Sequence, residues 1–75
     1  MKSLNELPTN KVGIIQKILP FDHAIKLLSI GFIPNKVIKV ERKYFFGNTL
    51  YVLIDGYPIA LTKEESKHIL INEKD

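Results

Sequence analysis

His23 and His68 are the side chains of this 75-residue chain best suited to hold a transition metal, since imidazole suits Fe(II). No His-x-His spacing brings such ligands together. His23 falls at an expected helix start beside Asp22, and His68 at the edge of an expected last strand, so a structural or solvated role is the reading for both. The carboxylates Asp55, Glu64 and Glu65 could suggest acid/base work, but Glu64 and Glu65 adjoin in an expected helix cap and point apart. The four glycines are scattered, so no phosphate-cradling loop is present. With no cysteine, the chain can build no disulfide, thiolate metal site or cysteine nucleophile. No catalytic residue, metal ligand or cofactor site is assigned, and an enzyme is not expected.

A different kind of chemistry is offered by Tyr44-Phe45-Phe46, directly before Gly47-Asn48. Three consecutive aromatics cannot all face one small core, so at least one is expected to reach solvent near a loop. Exposed aromatics suit a protein interface; equally, two could plug the end of the fold while the third lies flat on it. The same run could stack on bases while Lys36, Lys39, Arg42 and Lys43 follow a phosphate backbone. Against nucleic acid stand a net charge of only +3 and an acidic tail: residues 1–54 carry eight Lys/Arg against three acids, residues 55–75 three against five. Partner binding is the preferred reading.

Positioning these residues falls to one small domain spanning 1–75, because two cores cannot be built from so short a chain. A cleft with its own supporting shell would be hard to house in it, which favours a surface function. The start lacks a signal peptide's apolar stretch, and no apolar run approaches the roughly 20 residues of a membrane span, so a cytoplasmic protein without membrane insertion is expected.

Turn residues at Pro8-Thr9-Asn10, Pro20-Phe21-Asp22, Pro34-Asn35, Gly47-Asn48 and Asp55-Gly56 cut the chain into short apolar pieces, as in an all-β barrel. Residues 12–19 are rich in β-branched side chains and read as a strand, with Gly13 marking a bulge or a close backbone approach. Asp22 can cap a two-turn helix over 23–30 with Ala24, Ile25, Leu27 and Leu28 as its apolar face and Gly31 as its stop. Residues 36–43 read as a half-exposed strand. Residues 50–54 are apolar throughout and read as a central strand buried on both faces. Asp55-Gly56 predicts a type I′ hairpin into 57–61, where the Pro58 nitrogen must face an open edge or a bulge. Thr62 and Glu65 fit a capping box for one helical turn, residues 68–71 form a last strand, and 72–75 are expected to fray. The sum is a mainly β closed barrel of about five strands, with a short helix after the first and a helical turn before the last.

In this order the chain resembles the FeoA family over nearly its whole length. The resemblance rests on Leu4-x-x-Leu7 with Gly13, Ile15 and Ile18; on Leu27-Leu28-Ser29-Ile30-Gly31-Phe32-Ile33-Pro34-Asn35-Lys36-Val37; on Gly47-Asn48 and Gly56-Tyr57 with Ile59-Ala60-Leu61; and on Glu64-Glu65-Ser66 with Ile69 and Ile71. Asn10 and Asn35 stand where the family usually has glycine, Thr49 where proline is frequent and Thr62 where arginine is common. The asparagines are mild departures, since Asn tolerates positive φ.

The resemblance implies an SH3-like barrel without catalysis, acting beside FeoB, a membrane GTPase transporter of ferrous iron, at the inner face of the membrane. A related barrel ends iron-dependent repressors, so a detached regulator module contacting protein or nucleic acid is the alternative. Docking is expected through the helix at 22–30 and the aromatic loop, with Leu27, Phe32, Tyr44, Phe45 and Phe46 as partner contacts. Oligomeric state is left open by the sequence.

Overall fold

The computed structural model describes residues 1–43 and 48–74. The run Tyr44-Phe45-Phe46-Gly47 and Asp75 lie outside the described residues, and with them three of the five expected partner contacts.

Among the described residues six antiparallel strands form one sheet: β1 (Lys2–Ser3), β2 (Val12–Ile18), β3 (Val37–Lys43), β4 (Thr49–Ile54), β5 (Tyr57–Thr62) and β6 (Ile69–Lys74), and the fold is mainly β. A 3₁₀ turn at Leu4–Glu6 follows β1; helix α1 (Ala24–Ser29) follows β2, and α2 (Lys63–Lys67) precedes β6. The strand order is β1-β6-β2-β3-β4-β5, so β1 and β5 are its outer strands and the hydrogen-bonded ladder does not close on itself. Register shifts between Ile15 and Lys17 and between Val40 and Arg42 bend the sheet around its core.

That core is one cluster. Ile15, Ile38, Val40, Leu50, Val52, Leu61, Ile69 and Ile71 reach it from the strands, Leu4 and Leu7 from the N-terminal segment, and Leu27 and Phe32 from α1 and the turn after it. In β4 only Leu50, Val52 and Ile54 face inward, whereas Tyr51 is exposed and Leu53 half-buried. The expected burial of this strand on both faces is therefore corrected, as is its central place: it lies next to the outer strand β5.

Turn chemistry explains the connections. Asp55 and Gly56 both take positive φ, 49° and 87°, as a type I′ hairpin requires. Asn10 and Asn35, at φ 68° and 76°, occupy the left-handed region that Asn tolerates. Gly13 is a close approach and not a bulge, because a Cβ there would lie 3.1 Å from the Asn72 carbonyl oxygen.

Two differences concern the chain ends. The N-terminal residues add a sixth strand, Lys2 and Ser3 pairing with Ile71 and Leu70. Residues 72–74 do not fray; they continue β6 against Ile14, Gly13 and Val12. A Lys2–Glu73 ion pair at 2.8 Å joins the two ends.

The hairpin also sets the character of the outer edge. With Ile54 and Tyr57 as its first hydrogen-bonded pair, alternation turns the backbone of Pro58, Ala60 and Thr62 away from β4. Pro58 has no N–H to offer, as its placement on an open edge demands. The Thr62 N–H is taken by Glu65 Oε1 at 2.9 Å.

Candidate functional site

The geometry of interest is built where α1 and α2 meet. In α2, Thr62 Oγ1 accepts the Glu65 N–H at 3.0 Å while Glu65 Oε1 accepts the Thr62 N–H, a complete capping box. The second carboxylate oxygen turns to α1. Glu65 Oε2 accepts from Lys26 Nζ at 2.9 Å and from His23 Nδ1 at 3.0 Å. Glu65 itself is 3% exposed. Burial by itself pushes its carboxyl up, but the Thr62 N–H, the Lys26 ammonium and the His23 ring outweigh that and bring it down from 4.5 to about 2.

Helix α1 has no side-chain cap. Its N-cap is His23, not the expected Asp22, and its C-terminal turn leads into Gly31 at φ 113°. Of its six residues only Leu27 is buried. Ile25 is 80% and Leu28 43% exposed, and Ile30 and Ile33 carry the apolar surface past the helix end. The expected apolar face is thus split, with Leu27 inward and Ile25 and Leu28 in solvent.

Leu27 and Phe32, expected as partner contacts, are fully buried in the core. This corrects their role: they anchor the helix and its exit turn, and their side chains offer nothing to a partner. The exposed apolar side chains of α1 are Ile25 and Leu28 instead. The sequence does not single them out, because Ala24, Ile25, Leu27 and Leu28 all fall on one side of a helix that turns by about 100° per residue.

The two histidines come closer than their sequence positions suggest. Phe21 stacks on His68 with centroids 4.0 Å apart and lies 5.7 Å from the His23 ring. Both histidines line a cavity of about 270 Å³ with Asp22, Thr62 and Glu64. Yet no group of three or more His, Asp or Glu side chains able to hold a metal exists among the described residues. Glu65 and His68 do stand three residues apart, a spacing that can place two ligands on one helix face. Here they diverge: the Glu65 carboxylate serves Thr62, Lys26 and His23, and His68 Nδ1 donates to the Glu64 carbonyl at 2.9 Å.

Most of the basic residues considered for nucleic acid are engaged within the fold. Lys36 pairs with Asp55 at 2.9 Å, Lys43 Nζ donates to the Asn5 carbonyl at 2.9 Å, and the Arg42 guanidinium sits 4.5 Å over the Tyr51 ring. No helix among the described residues is long and apolar enough to cross a membrane.

Comparison with known proteins decides the lineage. A family model described as the FeoA domain matches residues 2–73. The chain belongs to the FeoA family. That family is associated with ferrous-iron transport and consists of small SH3-like accessory proteins. Among solved structures, the FeoA-like protein from Clostridium acetobutylicum is similar at 26% identity and TM-score 0.87, over 96% of this chain and 85% of that one. The Stenotrophomonas maltophilia FeoA, solved with zinc and described as an SH3 domain protein, matches at 21% identity and TM-score 0.84, over 96% and 91%. A manganese-dependent transcriptional repressor shares the fold at 19% identity and TM-score 0.88, over 97% of this FeoA chain but only 41% of the repressor. A search of curated proteins found no match.

Proposed function

We propose that this FeoA-family chain is a cytoplasmic accessory protein of ferrous-iron uptake that docks on a FeoB-like membrane GTPase transporter and modulates it. One observation carries the reading: a six-residue helix whose one buried side chain is Leu27 holds Ile25 and Leu28 out in water, and Ile30 and Ile33 just after it are exposed too. Apolar side chains clustered on an exposed element favour a protein partner that removes them from solvent. The aromatic run Tyr44-Phe45-Phe46 adds a second candidate contact on sequence grounds.

Full-length FeoB from the same organism, in lipid nanodiscs, provides the test. The wild-type chain should bind it and Ile25→Asp/Leu28→Asp should not, while both variant and wild type melt alike. Retention of full binding by that variant ends the assignment to α1. Loss of binding in Phe45→Ala/Phe46→Ala would extend the surface to the aromatic run.

A second reading has one observation in its favour, the repressor match that covers nearly all of this chain. On it the chain is a detached regulator module contacting protein or nucleic acid. Salt-sensitive binding of single-stranded RNA or DNA below about 10 µM would support it, although the internal pairing of Lys36, Lys43 and Arg42 leaves little of a phosphate track.

A further inference from the structure

We propose that Glu65 is a positioning residue for the docking face: one buried carboxylate, reaching from α2, fixes the orientation of α1 on the barrel. This rests on the reading of α1 as the surface that meets the transporter. Partner binding then depends on a residue that the partner never touches.

The capping box needs only one oxygen of residue 65, and Glu65 Oε1 supplies it to the Thr62 N–H. A glutamine would serve that box as well as a glutamate. What only a carboxylate can do is accept two further donors, one of them cationic, at its other oxygen. Lys26 Nζ and His23 Nδ1 both converge on Oε2. His23 is the N-cap of α1 and Lys26 follows it by three residues, so two positions one turn apart on the same side of the helix are tied to one atom.

Such a tether is needed. Six residues are far too few for a helix to persist alone in water, and α1 has no side-chain cap of its own. Leu27 fixes its depth, but apolar burial is non-directional and does not set rotation about the helix axis. Charge-assisted hydrogen bonds are directional and do. Each residue step turns the helix by about 100°, so a shift of one position would swing Ile25 and Leu28 out of register with any complementary surface.

The test is Glu65→Gln, which retains the acceptor for Thr62 and removes the anionic one for Lys26 and His23. Amide hydrogen exchange reads the helix directly through the Leu27 and Ile30 N–H groups, which donate to the His23 and Lys26 carbonyls. Both should exchange about tenfold faster, the scale of a lost charge-assisted hydrogen bond. Amides of β2 and β6 should stay within about threefold of wild type, because local opening need not involve the whole sheet. Affinity for FeoB in nanodiscs should fall about tenfold in parallel. Lys26→Met, which leaves the capping box untouched, should move both readouts the same way.

Wild-type exchange at α1 in Glu65→Gln, or equal acceleration of α1 and the sheet, overturns the proposal. So does a loosened α1 with unchanged affinity. A wild-type chain that fails to bind FeoB overturns the docking reading instead, and the exchange data then decide the helix-positioning role separately.

Discussion

Helices α1 and α2 are nearly equal in length and are joined through Glu65, yet they are built on opposite plans. α2 satisfies its own N-terminus through Thr62 and Glu65, buries Glu65 and Ser66, and is closed by Ser66 Oγ donating to the Lys63 carbonyl. α1 has no cap, buries one residue and turns its remaining isoleucine and leucine outward. A segment that serves only stability has no reason to expose Ile25 while its neighbour hides a carboxylate. The contrast separates a pin from a surface, with Glu65 as the joint between them.

The largest effect expected from this contrast falls on Leu27, the one buried side chain of α1. Leu27→Ala should destabilise the fold by about 2–5 kcal/mol, the range for removing a fully buried leucine, read as a lower urea midpoint. An unchanged midpoint would mean that α1 is not docked by Leu27 at all.

Acid should strike next, at the joint. The Glu65 carboxyl is held near 2 in the fold against 4.5 in the open chain, so its contribution is complete above pH 4.5 and fades as pH falls from there toward 2. From that difference the contribution is about 3 kcal/mol at most, because Lys26 and His23 are half in water and partly screened. Melting temperature followed from pH 6 to pH 2 should therefore drop for wild type and drop less for Glu65→Gln.

Smaller still is the cap of α2. Thr62→Ala should cost about 1 kcal/mol by thermal melting, since one N-terminal amide loses its partner. Smallest for stability are Ile25→Ser and Leu28→Ser, each expected within about 0.5 kcal/mol of wild type because both side chains already face water. Their effect should appear only when the transporter is present. If either variant melts far below wild type, the exposed face of α1 is structural and the contrast with α2 collapses.

Much of this was legible beforehand where local chemistry decides. Asp55-Gly56, Asn10 and Asn35 announce positive φ, Thr62 and Glu65 announce a capping box, and the structure has all of them. Less visible was whatever depends on distant partners. β1 is two residues of unremarkable type, recruited by pairing with Leu70 and Ile71. Residues 72–74 have no apolar alternation, and what orders them is the backbone of Val12–Ile14. In β4 the outward positions hold Tyr51 and Leu53, so alternation was masked by apolar residues on both faces. The second oxygen of Glu65 meets donors 39 and 42 residues away, a distance no local pattern reports. Leu27 and Ile25 differ by half a turn of helix, and only the placement of α1 on the sheet tells which is anchor and which is face.

The outer edge of β5 has a consequence for life in a crowded cell. An unguarded strand invites a second copy to add itself by main-chain pairing, the route to stacking and fibrils. Pro58 withholds its donor there and Thr62 spends its own on Glu65, leaving Ala60 between two blocked positions. Copies at high local density can therefore crowd together without polymerising through that edge.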